Sequence, residues 1–241
     1  MQLIQYIPII TTIFSAFFVY RIGRHYAAKP EAKYLLWWTI GIITYGLGTM
    51  TESINTLIGW TEINQKVWYV VGALLGGAPL AQGTVYLLMS KKTANIMTAI
   101  LVAVVIIASI AVFLSPVDPS MVINNRLSGK VLTWQWVRYF SPFINTYALI
   151  FLFGGAVYSA FKYYKNRAMK RFLGNVYIAI GALLPGIGGS FTRFGYVEVL
   201  YVTELLGLIC MYTGYMIIRT DRTVSLHTVQ KETSEVVKPV N

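Results

Sequence analysis

The chain has 241 residues, 56% of them apolar and 12% charged, with a mean hydropathy of +0.59. A typical soluble domain carries about 25% charged residues, so this composition excludes an ordinary water-soluble globular protein. The 20 Lys plus Arg against 9 Asp plus Glu leave a net charge of +11, whose meaning depends on where the charges lie.

Residues 1–20, 34–51, 67–90, 93–117, 139–161 and 172–192 contain no Asp, Glu, Lys or Arg. A seventh run, 197–218, is apolar apart from Glu198 and Glu204. A helix needs about 20 mostly apolar residues to cross a ~30 Å hydrocarbon core. Lipid offers backbone groups no partners, so each crossing run must be helical; a barrel would show short alternating segments instead. The pattern predicts an all-α polytopic integral membrane protein, a seven-transmembrane-helix bundle over residues 1–219.

In chain order, the first run has no basic residue ahead of it and no small-residue cleavage site before Arg21, so it reads as a retained helix rather than a leader. The second begins at Trp37 and Trp38 and ends near Trp60 and Trp68, a pair of interfacial belts. It places Gly41, Tyr45, Gly48, Glu52 and Asn55 at three- and four-residue steps, hence on one stripe. The third carries Gly76, Gly77, Pro79, Gln82 and Tyr86, with Pro79 expected to kink it. The fourth carries no charged residue from 93 to 117.

Residues 115–138 form the one long connection. Two apolar stretches flank a turn-rich centre there, which reads either as a short β-hairpin or as an interfacial segment held by Trp134 and Trp136. Its length also makes it a candidate lid. The fifth run opens with Ser141, Pro142 and Asn145, and the sixth holds Pro185 among Gly181, Gly186, Gly188 and Gly189. The tetrapeptide Gly72–Leu75 recurs at Gly181–Leu184, an offset that would relate the third run to the sixth as an inverted repeat. The seventh run aligns Tyr201, Glu204, Leu208 and Tyr212. Residues 220–241 are polar and read as a disordered cytoplasmic tail.

Assigning loops alternately to two sides puts 15 of the 20 basic residues on one side and 5 on the other. The positive-inside rule then sets the N-terminus outside and the C-terminus in the cytoplasm of a cell membrane. The excess positive charge is a topology signal, with anionic lipid headgroups at the cytoplasmic face as its partner and no nucleic acid implied.

Ionisable and amide groups inside spans are costly and need polar company. At about 1.5 Å per residue, Glu52 and Glu204 each fall ~10 Å below the outer surface. A polar cluster is therefore expected in the outer leaflet from Glu52, Asn55, Asn145, Tyr201 and Glu204, with Gln82 and Tyr86 deeper. Arg193 and Arg138 are the candidate counter-ions, and two gathered carboxyl groups make a proton or cation site.

The seventh run lacks a lysine for a retinal Schiff base, and both histidines, His25 and His227, lie outside the apolar runs. No zinc, phosphate-loop, dinucleotide or serine-hydrolase motif occurs. No cofactor, metal or catalytic residue is therefore assigned.

Residues 52–88 contain Glu52-Ser53, Gly59-Trp60, Trp68-Tyr69, Gly72-Ala73-Leu74-Leu75 and Gln82-Gly83-Thr84-Val85-Tyr86-Leu87-Leu88. This block resembles uncharacterised seven-span membrane proteins of bacteria and archaea with a GW…WYxxGALxxG…GTxYLL pattern. The resemblance implies a prokaryotic seven-helix protein and transfers no activity. Three function classes remain: a small-solute or ion carrier or membrane-embedded binding protein; an accessory or anchoring subunit beside other membrane subunits; and a seven-helix sensor.

Overall fold

The computed structural model describes residues 3–123, 125–192 and 194–221. Arg193 and nearly all of the tail expected from residue 220 lie outside the described residues. The described chain is helical, with helices α1 (Ile7–Ala27), α2 (Lys33–Ile58), α3 (Glu62–Trp68), α4 (Ala78–Leu88) and α5 (Lys91–Leu114), followed by α6 (Phe140–Ala148), α7 (Gly155–Lys165), α8 (Met169–Thr192) and α9 (Val197–Arg219). Helix boundaries follow local chemistry. The Thr61 hydroxyl accepts the Asn64 amide at the start of α3, and the Ser90 hydroxyl accepts the Thr93 amide at the start of α5. Gly59, at φ 95°, ends α2 in a conformation that a side chain would oppose.

Six segments are long and apolar enough to cross a membrane: Leu3–Ala27, Glu62–Leu88, Lys91–Leu114, Gln135–Lys165, Met169–Thr192 and Val197–Arg219. The 26-residue α2 matches them in length. Its Thr, Ser, Glu52 and Asn55 make it more polar, and it can carry them because it is central. Trp38, Ile42, Tyr45, Thr49, Glu52 and Asn55 are all buried along it. Trp38, expected at an interface, is 7% exposed and belongs to the core.

The Glu62–Leu88 span is broken. A π-helical segment, Tyr69–Leu74, follows α3, and residues 75–77 bend before α4 begins. Pro79 does not kink a continuous helix as expected. It occupies the first turn of α4, where a missing N–H costs nothing. The break lets the chain pass close to α2, and a Cβ on Gly48 would meet the Gly72 Cα at 3.2 Å. A second π-helical segment, Leu149–Gly154, joins α6 to α7.

Between α8 and α9 the contact is backbone to backbone. A Cβ on Gly181 would stand 2.6 Å from the Gly207 carbonyl oxygen, and one on Gly214 would stand 2.4 Å from that of Gly174. With lipid as solvent, such van der Waals contact and interhelical hydrogen bonds, rather than exclusion of water, hold helices together. Pro185 lies inside α8 with its ring against the Gly207 position. The inverted repeat fails on these contacts: Gly72 packs on the helix before it, Gly181 on the helix after it.

Among its described residues the 115–138 connection forms no β-hairpin. It makes one antiparallel bridge, Val117 with Leu132, and three short 3-10 turns. Its aliphatic residues Val131, Leu132 and Val137 are fully buried, and Leu132 and Val137 pack with Tyr69, Leu74 and Val112 in a second core. Trp134 and Trp136 stack with centroids 5.9 Å apart. Within this loop the Ser120 hydroxyl and amide hold the Asp118 carboxyl below the usual carboxylate range.

Candidate functional site

The three-residue spacing that put Glu52 and Asn55 on the buried stripe of α2 aims Glu52 at α9. The carboxyl groups of Glu52 and Glu204 are neighbours across the α2–α9 contact. Glu52 is 3% exposed; Glu204 is half-buried overall, but its Oε2 is enclosed. The Trp68 indole N–H donates to Glu52 Oε1 at 3.1 Å. The Tyr45 hydroxyl donates to the Glu204 backbone carbonyl at 2.8 Å, which ties α2 to α9 at this level. Tyr201, one turn before Glu204, is close enough to feel the charge of both carboxyls.

Three enclosed oxygens here have no donor: Glu52 Oε2, Glu204 Oε2 and Asn55 Oδ1. Among the described residues the ion pairs are Lys66–Glu62, Arg126–Glu198 and Arg171–Asp221, and none of them reaches the carboxyl pair. An enclosed acceptor without a donor costs about 1–3 kcal/mol. Two neighbouring enclosed carboxyls with no cation beside them also repel each other unless one of them is protonated. The arrangement can therefore hold a shared proton, or give oxygen ligands to a small cation that replaces it.

The loop residues 125 and 126 reach over this site from one end of the bundle. The Asn55 amide donates to the Asn125 carbonyl at 2.6 Å, and the Arg126 guanidinium pairs with Glu198 at 2.7 Å while donating also to the Gly195 carbonyl. Asn125 adopts φ 53°, a left-handed conformation that asparagine tolerates well. Gln65 and Ser128 exchange two hydrogen bonds that fix the same loop to α3. Consecutive loop residues thus bridge the two helices that carry the glutamates.

Of the residues expected in the cluster, Glu52, Asn55, Tyr201 and Glu204 come together. Asn145 does not join them; it is exposed and donates to the Ala73 carbonyl and to Ser141, on the broken span. Arg138 makes no ion pair among the described residues and donates to Gln135 Oε1. Gln82 and Tyr86 belong to a separate network between α4 and α5. The Gln82 amide donates to the Ala94 carbonyl and Thr98 and accepts from Tyr147, which satisfies it completely. Tyr86 donates to Asn95 at 2.7 Å. Trp68, read from sequence as an interfacial residue, is instead a direct partner of Glu52. Compared with models of known families, with characterised proteins and with solved structures, the chain matches none.

Proposed function

We propose that this chain is a seven-span membrane protein, with its N-terminus outside and C-terminus cytoplasmic, that exchanges a proton or a small cation at Glu52–Glu204 and acts as a small-ion carrier. In this reading α2 is the seventh span, and loop 115–138 covers the site from the outer side. The observation that carries the proposal is the set of three enclosed, donorless oxygens on α2 and α9 with no cationic side chain paired to them among the described residues. Natural membrane interiors keep such groups where they serve a pathway or relay. The Glu52-to-Tyr86 block, which carries the family resemblance, also supplies Trp68 to the pair.

Access needs the Asn55–Asn125 and Arg126–Glu198 contacts to open, and Trp68 joins the pair directly to the π-helical segment that follows it. Basic residues at the cytoplasmic ends place anionic lipid headgroups there as the bilayer partner.

The test is flux into liposomes containing the purified chain and a trapped pH-sensitive dye, with and without Na⁺ or K⁺ gradients. The expected result is cation-dependent or proton flux well above protein-free liposomes, reduced at least tenfold by Glu52→Gln and by Glu204→Gln in protein that still runs as a folded species. Flux equal to that of empty liposomes overturns the carrier and leaves the accessory-subunit reading.

A further inference from the structure

At the opposite end of the bundle from the carboxyl pair lies a cavity of about 130 Å³. Its walls come from α1, α2, α4, α7, α8 and α9. The inner wall is apolar, with Leu35, Trp38, Leu87, Ala156 and Ile178 facing it. The polar boundary is made by His25, Tyr215 and Arg219. His25 Nδ1 and the Tyr215 hydroxyl are 2.9 Å apart, and Arg219 stands beside the same tyrosine.

Charge at this boundary is one-sided. Arg21, one turn before His25 on α1, lies near Tyr215; its Nε is enclosed without a partner, and its terminal nitrogen reaches only the Met216 sulfur, at 3.9 Å. Lys29 and Arg219 add positive charge around His25. Of the acidic groups at this end, Glu31 is exposed near Tyr34, and Asp221 pairs with Arg171. One guanidinium, that of Arg219, therefore lines the apolar cavity and a second, that of Arg21, stands behind Tyr215, with no carboxylate paired to either among the described residues.

We infer that this cavity is a binding site for a single-chain anionic amphiphile, an alkyl carboxylate or alkyl phosphate. Its head pairs with Arg219 and Arg21, and its chain enters between Trp38 and Ala156. Size selects one chain, because a cavity of ~150 Å³ accepts about one benzene ring, which leaves room for roughly six carbons of a single chain with the remainder outside the mouth. Charge selects the anion, because a guanidinium presents a planar fork that matches carboxylate and phosphate oxygens. This site is independent of the carrier reading, since it shares no residue with the carboxyl pair.

The test uses the full chain in uncharged detergent at pH 8, where an alkyl carboxylate is ionised. Tryptophan fluorescence is titrated with bromine-labelled dodecanoate and, separately, with the equally labelled uncharged dodecanol, because bromine quenches an indole only near contact. Dodecanoate is expected to quench saturably, at a concentration at least tenfold lower than dodecanol requires. Trp38→Phe should remove the saturable component, and Arg219→Gln should weaken it at least tenfold. Equal quenching by acid and alcohol in the unmodified chain overturns the proposal without any variant. Persistence of the saturable component in Trp38→Phe overturns the placement in this cavity. Displacement of dodecanoate by an equal concentration of two-chain phosphatidylglycerol overturns the single-chain claim.

Discussion

Glu52 uses its two carboxyl oxygens differently: Oε1 accepts the Trp68 indole N–H, while Oε2 has only the neighbouring Glu204 carboxyl to turn to. Trp68→Phe keeps most of the ring volume and removes the donor, so it should cost about 1–3 kcal/mol. At roughly 2–4 °C per kcal/mol for a chain of this size, the thermal midpoint in detergent should fall by several degrees. Combined with Glu52→Gln, the loss should be smaller than the sum of the two single losses, because both act on one bond. Strict additivity would mean that Trp68 contributes by packing alone. At this scale the pair itself was readable from sequence, since two glutamates inside apolar runs are expensive wherever they sit. Their partners were not readable: spacing along one helix gives a face but not which face of another helix it meets. Asn145 and Arg138 were therefore grouped with the pair by depth alone, and Trp68 was assigned to the headgroup level by its residue type.

At the scale of elements, the structure divides into contacts that cannot give way and contacts built to open. The α8–α9 seam is of the first kind. Gly181→Val would drive carbon into the Gly207 carbonyl and the Met211 amide, 2.6 and 2.8 Å from the new Cβ. Neither backbone group can move aside, so a loss of at least about 2 kcal/mol is expected. Gly186→Ala, five residues on in the same helix with nothing within 4 Å, should leave the midpoint unchanged or slightly raised. If both variants melt alike, the seam is not what joins these helices. The loop latch is of the second kind. Arg126 and Glu198 are both partly exposed, so their ion pair contributes ~1 kcal/mol or less. Arg126→Gln should raise backbone hydrogen exchange across 125–138 while barely shifting the thermal midpoint. Unchanged exchange would show that Val131, Leu132 and Val137 alone hold the loop down. Helix positions were legible because charge-free runs and capping residues mark them directly. The break at residues 75–77 was not, since Gly76, Gly77 and Pro79 fit a kinked helix as well as two separate ones. Tertiary contact decided it, in the close approach of Gly72 to Gly48.

For the whole molecule, the arrangement in the bilayer rests on the distribution of Lys and Arg, and it predicts labelling that two cysteines can report. The native Cys210 is free and half-buried in α9, so a Cys210→Ser background removes the one competing thiol in the chain. Lys130 is exposed in the 115–138 loop, and Asn166 is exposed in the turn between α7 and α8. A single membrane-length segment, Gln135–Lys165, separates them. With the N-terminus outside, Lys130→Cys should react with a membrane-impermeant maleimide in intact cells, and Asn166→Cys only after lysis. The opposite result would invert the bundle. It would place the loop latch and the carboxyl pair near the cytoplasm and the amphiphile cavity in the outer leaflet. Reaction of both from the same side would mean that Gln135–Lys165 does not cross, and then its broken α6–α7 helix would have to lie against the bundle as a re-entrant piece. Only the first pattern leaves the 15 basic residues facing the anionic side of the membrane, where each contributes about 1 kcal/mol of attraction when close to the headgroups.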